Sequence, residues 1–321
     1  MGQATLQGWQ GRIDAEEGEL GRRWHQLAAA APASGPLDGV TLVGFACDAG
    51  VARNHGRIGA AEGPAALRAL LGNTPVRHVQ KLWDAGDVRC DGDALEPAQA
   101  ELSERLADLL GRGTFPITLG GGHEIAYGSF GGLARHLAAQ GGSAPRIGVV
   151  NFDAHFDLRL AERASSGTPF RQIAEDCAAR GWPFHYACLG VSDYANTRAL
   201  FERAEQLGVC WRRDEEMGID RLAESRAQLE QFLAGVDHVY LTVCLDVLPA
   251  AVAPGVSAPA AHGVALEVVE ALIDTVLSSG KLRLADVAEL NPRLDIDSHT
   301  ARVAARLIAR VADAITEQQG G

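Results

Sequence analysis

Six short apolar runs alternate with longer stretches of helical periodicity along the chain, and each run is only five to seven residues long. An apolar run of this length indicates a strand that is buried on both faces, as in a parallel sheet covered by helices. The sequence therefore predicts a single α/β domain. The candidate strands are residues 41–46, 115–119, 147–152, 186–191, 239–245 and 284–290.

The stretches between these runs carry apolar residues at the spacing of an amphipathic helix. The segment 31–39, APASGPLDG, has the composition of a loop leading into the first strand. We predict that residues 1–38 form a helical N-terminal extension and that residues 39–321 form one domain. The candidate helices are 97–110, 129–139, 222–233, 266–277 and about 300–315.

The charge and composition of the chain limit its partners and its location. A formal net charge of −12 argues against nucleic acid, because binding a phosphate backbone needs a basic face. No apolar run approaches the roughly 20 residues of a membrane span, and the first residues lack the pattern of a secretory signal. Six cysteines are scattered without a CxxC spacing, which favours reduced thiols. We expect a cytoplasmic protein that binds neither nucleic acid nor membrane.

Residues of metal-ligand types stand where three of the predicted strands end. Ligands bind beyond the carboxyl ends of the strands in an open parallel sheet, so these side chains should meet in one crevice. A run of three glycines before the first of them allows a tight backbone turn beside that crevice. The candidates are His123 after strand 115–119, Asp153, His155 and Asp157 after strand 147–152, and Cys244 and Asp246 at the end of strand 239–245.

The spacing within two of these segments strengthens the prediction. Side chains two residues apart in an extended segment point the same way, so Asp153, His155 and Asp157 share a direction, as do Cys244 and Asp246. A mixture of imidazole and carboxylate suits Mn, Fe, Co or Zn better than Ca. Carboxylates that can bridge suggest two ions about 3.5–4 Å apart, a pair that makes hydroxide from water near neutral pH.

Four segments resemble the signature blocks of the ureohydrolases, the arginase and agmatinase family, and the resemblance continues in order over residues 39–318. It implies a three-layer α/β/α fold around one mostly parallel sheet of roughly eight strands. The segments are GGGHE at 120–124, NFDAHFDLR at 151–159, LDVLPAAVAPGVSAPAA at 245–261 and AELNP at 288–292, which contains Glu289.

Two further segments resemble those of one branch of that family. SSGTPF at 165–170 and WQGRIDAEEG at 9–18 resemble the branch that hydrolyses N-formimidoyl-L-glutamate to L-glutamate and formamide during histidine breakdown. The resemblance implies two Mn²⁺ ions per subunit and a small amino-acid derivative as substrate. It also implies a homo-oligomer, because ureohydrolases are commonly trimers or hexamers.

The family resemblance implies a role for each candidate ligand. Asp153 and the residue at 244 would bridge the two ions, and water activated between the ions would attack the formimidoyl carbon. Asp157 would accept the proton, and Glu289 would hold the formimidoyl nitrogens. One ion would be held by His123, Asp153, Asp157 and Cys244, and the other by Asp153, His155, Asp246 and Cys244.

The chain departs from the family pattern at two places. Arginases carry a proton-shuttling histidine in the loop where this chain has Ser165 to Pro169, so arginase activity is not expected. At position 244 most of the family has an aspartate, and the thiolate of Cys244 is a softer ligand than Mn²⁺ prefers.

Cys47 ends the first strand and should face the same crevice. A disulfide between Cys47 and Cys244 would then remove a ligand and switch the enzyme off.

Basic residues near the crevice are candidates for binding the substrate carboxylates. Arg159 lies two residues after Asp157, where arginases place a residue that contacts the amino-acid end of their substrate, and a guanidinium there can pair with a carboxylate. Arg57 and Asn54, with Arg53, lie in the loop after the first strand. Arg159 and Arg57 are the first choices.

Three alternatives stay open at this level. The same scaffold serves agmatinases and guanidino-acid hydrolases, which release urea. The altered residue at 244 allows a catalytically silent, metal-binding relative, although the remaining ligands and Glu289 argue against it. A metal-dependent deacetylase also has a crevice of Asp and His, but it uses one zinc ion, so the number of bound ions separates it from a two-metal hydrolase.

Overall fold

The structure is a computed structural model, which describes residue 6 and residues 8–320. Within that part of the chain, nine strands form one sheet in which all neighbouring strands are parallel. The strands are β1 (Ala29–Ala30), β2 (Val40–Ala46), β3 (Leu82–Arg89), β4 (Phe115–Leu119), β5 (Ile147–Phe152), β6 (His185–Val191), β7 (Cys210–Arg213), β8 (His238–Cys244) and β9 (Leu282–Ala288).

Helices cover both faces of the sheet. They are α1 (Ala49–Arg53), α2 (Gly63–Leu71), α3 (Leu95–Arg112), α4 (Ile125–Gln140), α5 (Pro169–Arg180), α6 (Arg198–Gln206), α7 (Leu222–Ala234), α8 (Leu266–Ser278) and α9 (His299–Gly320). The apolar residues of α2, α7, α8 and α9 share one buried core, whereas those of α3 to α6 pack into two others. The predicted three-layer α/β/α fold is confirmed, with nine strands where roughly eight were expected.

The order of the strands determines which strand ends meet. The sequence of neighbours across the sheet is β1-β3-β2-β4-β9-β8-β5-β6-β7. The last two strands of the chain therefore lie between β4 and β5, which they separate. Since all four central strands run the same way, the residues that follow β4, β9, β8 and β5 emerge side by side at one edge.

All six strands predicted from apolar runs are present, with bounds within two residues of the predicted ones. Three strands were missed, namely β1, β3 and β7. The sequences LWDAGDVR of β3 and CWRR of β7 contain charges and are only partly buried, so they lack a continuous apolar run. In β3 the polar residues have a tertiary partner, because the Arg68 guanidinium on α2 donates to both Asp84 and Asp87.

The N-terminal segment differs from the predicted helical extension. Its described part contains two 3-10 helices, Ala15–Gly21 and Trp24–Gln26, followed by β1, which pairs with β3 at the sheet edge. Trp9 and Trp24 are fully buried in the main core. The segment is thus packed onto the sheet, while residues 1–5 and 7 of the prediction lie outside the described residues. Among the described helices, none has the length and apolar character required to cross a membrane.

Candidate active site

Polar side chains gather at the carboxyl ends of the four central strands. Cys244 is the last residue of β8, and Asp153 and Glu289 directly follow β5 and β9. His123 follows β4 after the glycine run, and Asp246 lies two residues beyond β8. The parallel sheet thus brings together residues that are up to 166 positions apart in the sequence, as the hydrogen bond from the backbone N–H of His123 to Glu289 illustrates.

A first set of ligand atoms comes from three strands. The potential donor atoms of His123, Asp153 and Cys244 all lie within 4.8 Å of one another. His123 Nδ1 is 2.9 Å from Asp153 Oδ2 and 3.1 Å from Asp157 Oδ2. The four residues expected to surround one ion are therefore neighbours.

A second set shares one residue with the first. The donor atoms of Asp153, His155 and Asp246 also lie within 4.8 Å of one another. His155 Nδ1 is 3.4 Å from Asp153 Oδ1 and 3.2 Å from Asp246 Oδ2. The two oxygens of Asp153 thus face different sets, as a bridging carboxylate requires. Cys244 belongs to the first set, and its bridging role stays a prediction.

The donor atoms of these sets fit divalent cations. Asp246 Oδ1 is buried and has no hydrogen-bond partner within the described chain. His123 Nε2 lies 3.0 Å from Thr242 Oγ1, which turns the other ring nitrogen, Nδ1, toward the carboxylates. A buried imidazole nitrogen that faces two carboxylates and a buried carboxylate oxygen without a partner in the described chain are donor atoms that divalent cations would satisfy.

The buried carboxylates of the site lie close to one another, and their negative charges repel. Burial raises the pKa of Glu289, and together with the nearby carboxylates Glu124 and Asp246 it brings that pKa to about 8. Burial also raises the pKa of Asp157, together with the negative charge of Asp153. For His123, burial lowers the pKa, but hydrogen bonds to Asp153 and Asp157 outweigh it and hold the pKa well above its usual value. Protons on these groups would compensate the charge that metal ions otherwise supply.

Backbone strain is concentrated around the crevice. Five non-glycine residues in the described part of the chain have positive φ, and three of them, His55 (60°), Asp157 (47°) and Glu289 (71°), line this crevice. Such a conformation costs roughly 1–2 kcal/mol for a residue with a Cβ atom. Strain of this kind persists where the surrounding structure fixes the residue, and it clusters at functional sites.

Two positioning residues were missed by the sequence analysis. Asn151 donates from Nδ2 to Asp153 Oδ2 at 3.0 Å and to Tyr186 Oη at 3.0 Å, so it fixes the shared carboxylate. Thr242 orients His123. Each lies two residues before a ligand, Asp153 or Cys244, and therefore on the same face of its strand. Extending the period-two argument backward along β5 and β8 would have found both.

A crevice of about 440 Å³ opens over the ligands, within the range of about 300–1,000 Å³ typical of small-molecule sites. Asn54, Arg57 and Arg159, the predicted substrate-binding residues, all line it. Asn54 donates to Ser166 Oγ at 3.2 Å. Arg57 donates from Nε to Ser257 O and from Nη2 to Val256 O, both at 2.8 Å, so part of its guanidinium holds the opposite loop.

Arg159 and Arg53 have contrasting surroundings. The Arg159 guanidinium makes no hydrogen bond or ion pair with any residue that the structure describes, so it is available to a ligand in the crevice. Arg53 is directed away from the crevice, and its side chain is only 8% exposed. It donates to Asp93 Oδ1 at 2.6 Å, to Glu96 Oε1 at 2.7 Å and to Ala164 O at 3.0 Å. Arg53 is therefore removed from the candidate substrate ligands.

The two cysteines of the predicted redox pair have different environments. Cys244 lines the crevice, whereas Cys47 is buried and is not among the described residues that line it. Cys47 Sγ donates to Glu124 Oε1 at 3.5 Å, in contrast to the expectation that it would face the crevice. Burial raises the pKa of both thiols, and nearby carboxylates raise it further. Both cysteines are free thiols, and their disulfide stays a prediction.

Comparisons with known proteins agree with this geometry. The formimidoylglutamase of Ralstonia nicotianae is 67% identical to this chain, over 97% of the chain and 96% of that protein. The crystal structure of Trypanosoma cruzi formiminoglutamase with Mn2+2 superimposes with a TM-score of 0.75 at 25% identity, covering 87% of this chain and 94% of that one. The Bacillus subtilis formimidoylglutamase shares the fold, with a TM-score of 0.79 at 21% identity over 91% and 92% of the two chains.

A family model covers most of the molecule. Residues 38–313 match the model described as the arginase family, a span that contains β2 to β9 and every ligand of the two sets. The shared Asp153 and the parallel strands that carry the candidate ligands lie within that match. This chain belongs to the arginase family.

Proposed function

We propose that this protein hydrolyses N-formimidoyl-L-glutamate to L-glutamate and formamide, a step of histidine breakdown, with two Mn²⁺ ions per subunit. The chain is a hydrolase of C–N bonds in linear amidines. The observation that carries the proposal is a pair of ligand sets that share Asp153 at a crevice. The crevice is also lined by Arg159, whose guanidinium has no partner among the described residues. The 67% identity to a formimidoylglutamase supports the choice of substrate.

The ligand sets identify which residues would hold the metal ions. His123, Asp153, Asp157 and Cys244 would hold one ion, and Asp153, His155 and Asp246 the other, with Cys244 a second candidate bridge. When bound, two such ions act as Lewis acids and lower the pKa of water, so that hydroxide is available near neutral pH. Mn²⁺ is proposed because the set is rich in carboxylate and imidazole, and because the related Trypanosoma cruzi enzyme was crystallised with it.

Glu289 and Asp157 are the proposed catalytic residues. Glu289 Oε1 accepts a hydrogen bond from the backbone N–H of His123 at 2.9 Å, which fixes the carboxyl group at the floor of the crevice. Its other oxygen can accept from the formimidoyl nitrogens and hold the carbon in position for attack. Asp157, at the crevice wall, would take the proton from the attacking water and deliver it to the departing amine.

Arg159 would recognise a carboxylate of the substrate. A guanidinium forms paired hydrogen bonds with a carboxylate, and Arg159 has both edges free of partners within the described chain. Arg57 and Asn54, which also line the crevice, would act mainly by holding the loops together through Ser257 and Ser166.

The decisive experiment follows product formation. Purified protein, reduced and reconstituted with Mn²⁺, is incubated with N-formimidoyl-L-glutamate in a coupled assay for L-glutamate, with agmatine and arginine assayed in parallel for urea. Glutamate without urea is the expected result. Urea from a guanidino compound would move the protein to the agmatinase or guanidino-acid hydrolases. No product from any substrate would favour a silent metal-binding relative.

We also propose that a disulfide between Cys47 and Cys244 can regulate the site, although this requires Cys47 to leave Glu124. Two thiols oxidised by hydrogen peroxide give one disulfide and two waters, and the bond would remove Cys244 from the first ligand set. The expected result is a loss of bound Mn²⁺ and activity that a reductant reverses. The same loss in a Cys47→Ser variant would contradict the proposal.

The remaining proposals concern location and assembly. Six free thiols fit a reducing compartment, so we propose that the enzyme works in the cytoplasm. A homo-oligomer is proposed from the family resemblance. Light scattering of the purified protein tests it, with a monomer mass as the contradicting outcome.

A further inference from the structure

We propose that His55 is a substrate-binding residue whose imidazole donates a hydrogen bond to one of the two carboxylates of the substrate. The inference rests on the proposed function, since it takes N-formimidoyl-L-glutamate as the ligand. Its basis is the position of His55 in the crevice, the strain in its backbone and the number of basic groups available there.

His55 lies on the crevice wall at the end of α1. It belongs to the same wall as Asn54 and faces the same space as Arg159. Its backbone N–H donates to Ala52 O at 3.0 Å, which closes the last turn of the short helix. Its imidazole makes no hydrogen bond with any described residue. His55 is exposed and lines the space that a ligand would fill, so its imidazole can donate an N–H to that ligand.

His55 has a strained backbone conformation that glycine would adopt without strain. Its φ is +60°, the left-handed conformation that follows a helix end and that glycine or asparagine usually occupies. A residue with a Cβ atom loses stability at such a position. The His55 side chain is exposed, and His55 lines the crevice. Strained residues cluster at functional sites, so a strained residue in this position points to a role in binding.

The basic groups of the crevice are few. The substrate carries two carboxylates, and each needs donors once it leaves water. His123 and His155 belong to the metal sets, and Arg57 donates from Nε and Nη2 to backbone carbonyls. Arg159 can satisfy one carboxylate. Among the described residues that line the crevice and lie outside the metal sets, His55 and Arg159 are the basic side chains without a partner, so His55 is the candidate for the other carboxylate.

The test separates binding from strain. His55→Gly removes the imidazole and relieves the backbone, His55→Lys keeps a donor, and Asp297→Gly relieves strain at φ +52°, outside the residues that line the crevice. For each variant, kcat and KM are measured with N-formimidoyl-L-glutamate, the Kd for L-glutamate by calorimetry on metal-free protein, and Tm by calorimetric scanning.

We expect both glycine variants to keep or raise Tm. His55→Gly alone should raise KM and the Kd for L-glutamate about tenfold, the loss of one good hydrogen bond to a charged group, with kcat within about twofold of wild type. His55→Lys should recover most of the affinity. N-formimidoyl-glycine, which has a single carboxylate, should be affected much less by His55→Gly.

Each other outcome has a definite meaning. Unchanged KM and Kd in His55→Gly overturn the assignment, and so does an equal rise of KM in Asp297→Gly, which would trace the effect to the backbone. A fall in kcat at constant KM would also overturn it. If the wild-type protein itself fails to release glutamate, the proposed function fails, while the Kd for L-glutamate still decides whether His55 binds a carboxylate.

Discussion

At the scale of single residues, Cys244 is the most unusual of the proposed ligands. Its sulfur lies within 4.8 Å of donor atoms of both His123 and Asp153, yet burial and the neighbouring carboxylates raise the pKa of the thiol. A metal ion must therefore displace the thiol proton in order to gain the thiolate, which Mn²⁺ binds less well than a carboxylate. We therefore expect a cysteine at position 244 to weaken the site for Mn²⁺ and to make it more tolerant of softer metals.

Replacing this thiol by a carboxylate should strengthen manganese binding. We expect Cys244→Asp to lower the Kd for Mn²⁺ by about tenfold and to reduce the preference for Zn²⁺, as measured by competition titration of the metal-free protein. Cys177→Ser, which changes another buried free thiol in α5, is the control and should leave both values unchanged. A Cys244→Asp variant that binds Mn²⁺ more weakly would contradict the ligand role.

Arg159 and Arg57 should respond differently to the loss of their guanidinium groups. Arg159→Ala is expected to raise KM for the dicarboxylate about tenfold or more, with a much smaller change in kcat, because it removes binding common to substrate and transition state. Arg57→Ala should lower kcat and Tm as well, since Arg57 holds the loop at Val256 and Ser257. Steady-state kinetics and thermal scans distinguish the two. An unchanged KM in Arg159→Ala would remove it from the substrate site.

At the scale of elements, the ligands were predictable because each one follows a strand with a simple apolar signal. The runs that became β4, β5 and β8 are buried along their whole length, so the polar residues after them stood out in the sequence. β3 and β7 were missed because their charges are balanced by residues distant in sequence, such as Arg68 for β3. Such tertiary partners leave no local pattern.

The loop around α1 shows even more clearly that contacts between distant residues leave no local sequence pattern. Asn54 bonds to a residue 112 positions away and Arg57 to one 200 positions away. Side-chain type alone suggested that both bind substrate, and only the folded chain reveals that loop contacts use part of their donors. The direction of Cys47 was also missed, because it depends on Glu124 from another segment.

Arg53 should stabilise the wall of the crevice by holding its segments together. It joins α1 to Asp93, to Glu96 at the start of α3 and to the carbonyl of Ala164, with its side chain only 8% exposed. We expect Arg53→Ala to lower the free energy of unfolding by about 2 kcal/mol, the scale of lost hydrogen bonds to charged groups, and to raise KM. Chemical denaturation and kinetics measure the two effects.

Arg163→Ala provides the matched control for Arg53. Arg163 pairs with the same Asp93, but its side chain is 56% exposed, so its loss should change stability by less than about 1 kcal/mol. Equal effects of the two substitutions would indicate that Arg53 contributes only surface charge and does not organise the wall.

At the scale of the whole molecule, the metal site and global stability are linked. Burial lowers the pKa of His123 and His155, but neighbouring carboxylates outweigh burial and raise both above the usual value in the metal-free protein. A raised histidine pKa stabilises the fold below the unfolded value of about 6.5, and that contribution is lost as pH rises through the folded pKa. Metal-free protein should therefore lose stability above neutral pH, where the imidazoles lose their protons.

Manganese should reverse this trend. Binding must displace protons from the histidines, so affinity rises with pH, and ligand binding stabilises the folded state in proportion to affinity. We expect the increase in Tm on adding Mn²⁺ to be larger at pH 8 than at pH 6, by several degrees, with Mg²⁺ at the same ionic strength as the control. A shift that is equal at both pH values would show that the histidines do not exchange protons for metal.

The strand order has a consequence for the newly made chain on the ribosome. β4 and β5 are synthesised before β8 and β9, but in the finished sheet β9 and β8 lie between them. The two later strands leave the ribosome about a hundred residues after the earlier ones. Until then His123 and Asp153 have no scaffold that keeps them 2.9 Å apart, and Cys244 and Asp246 do not yet exist. Acquisition of metal must be among the last events in the maturation of this enzyme, and a chain truncated before β8 would hold two of the three residues of each ligand set without a site.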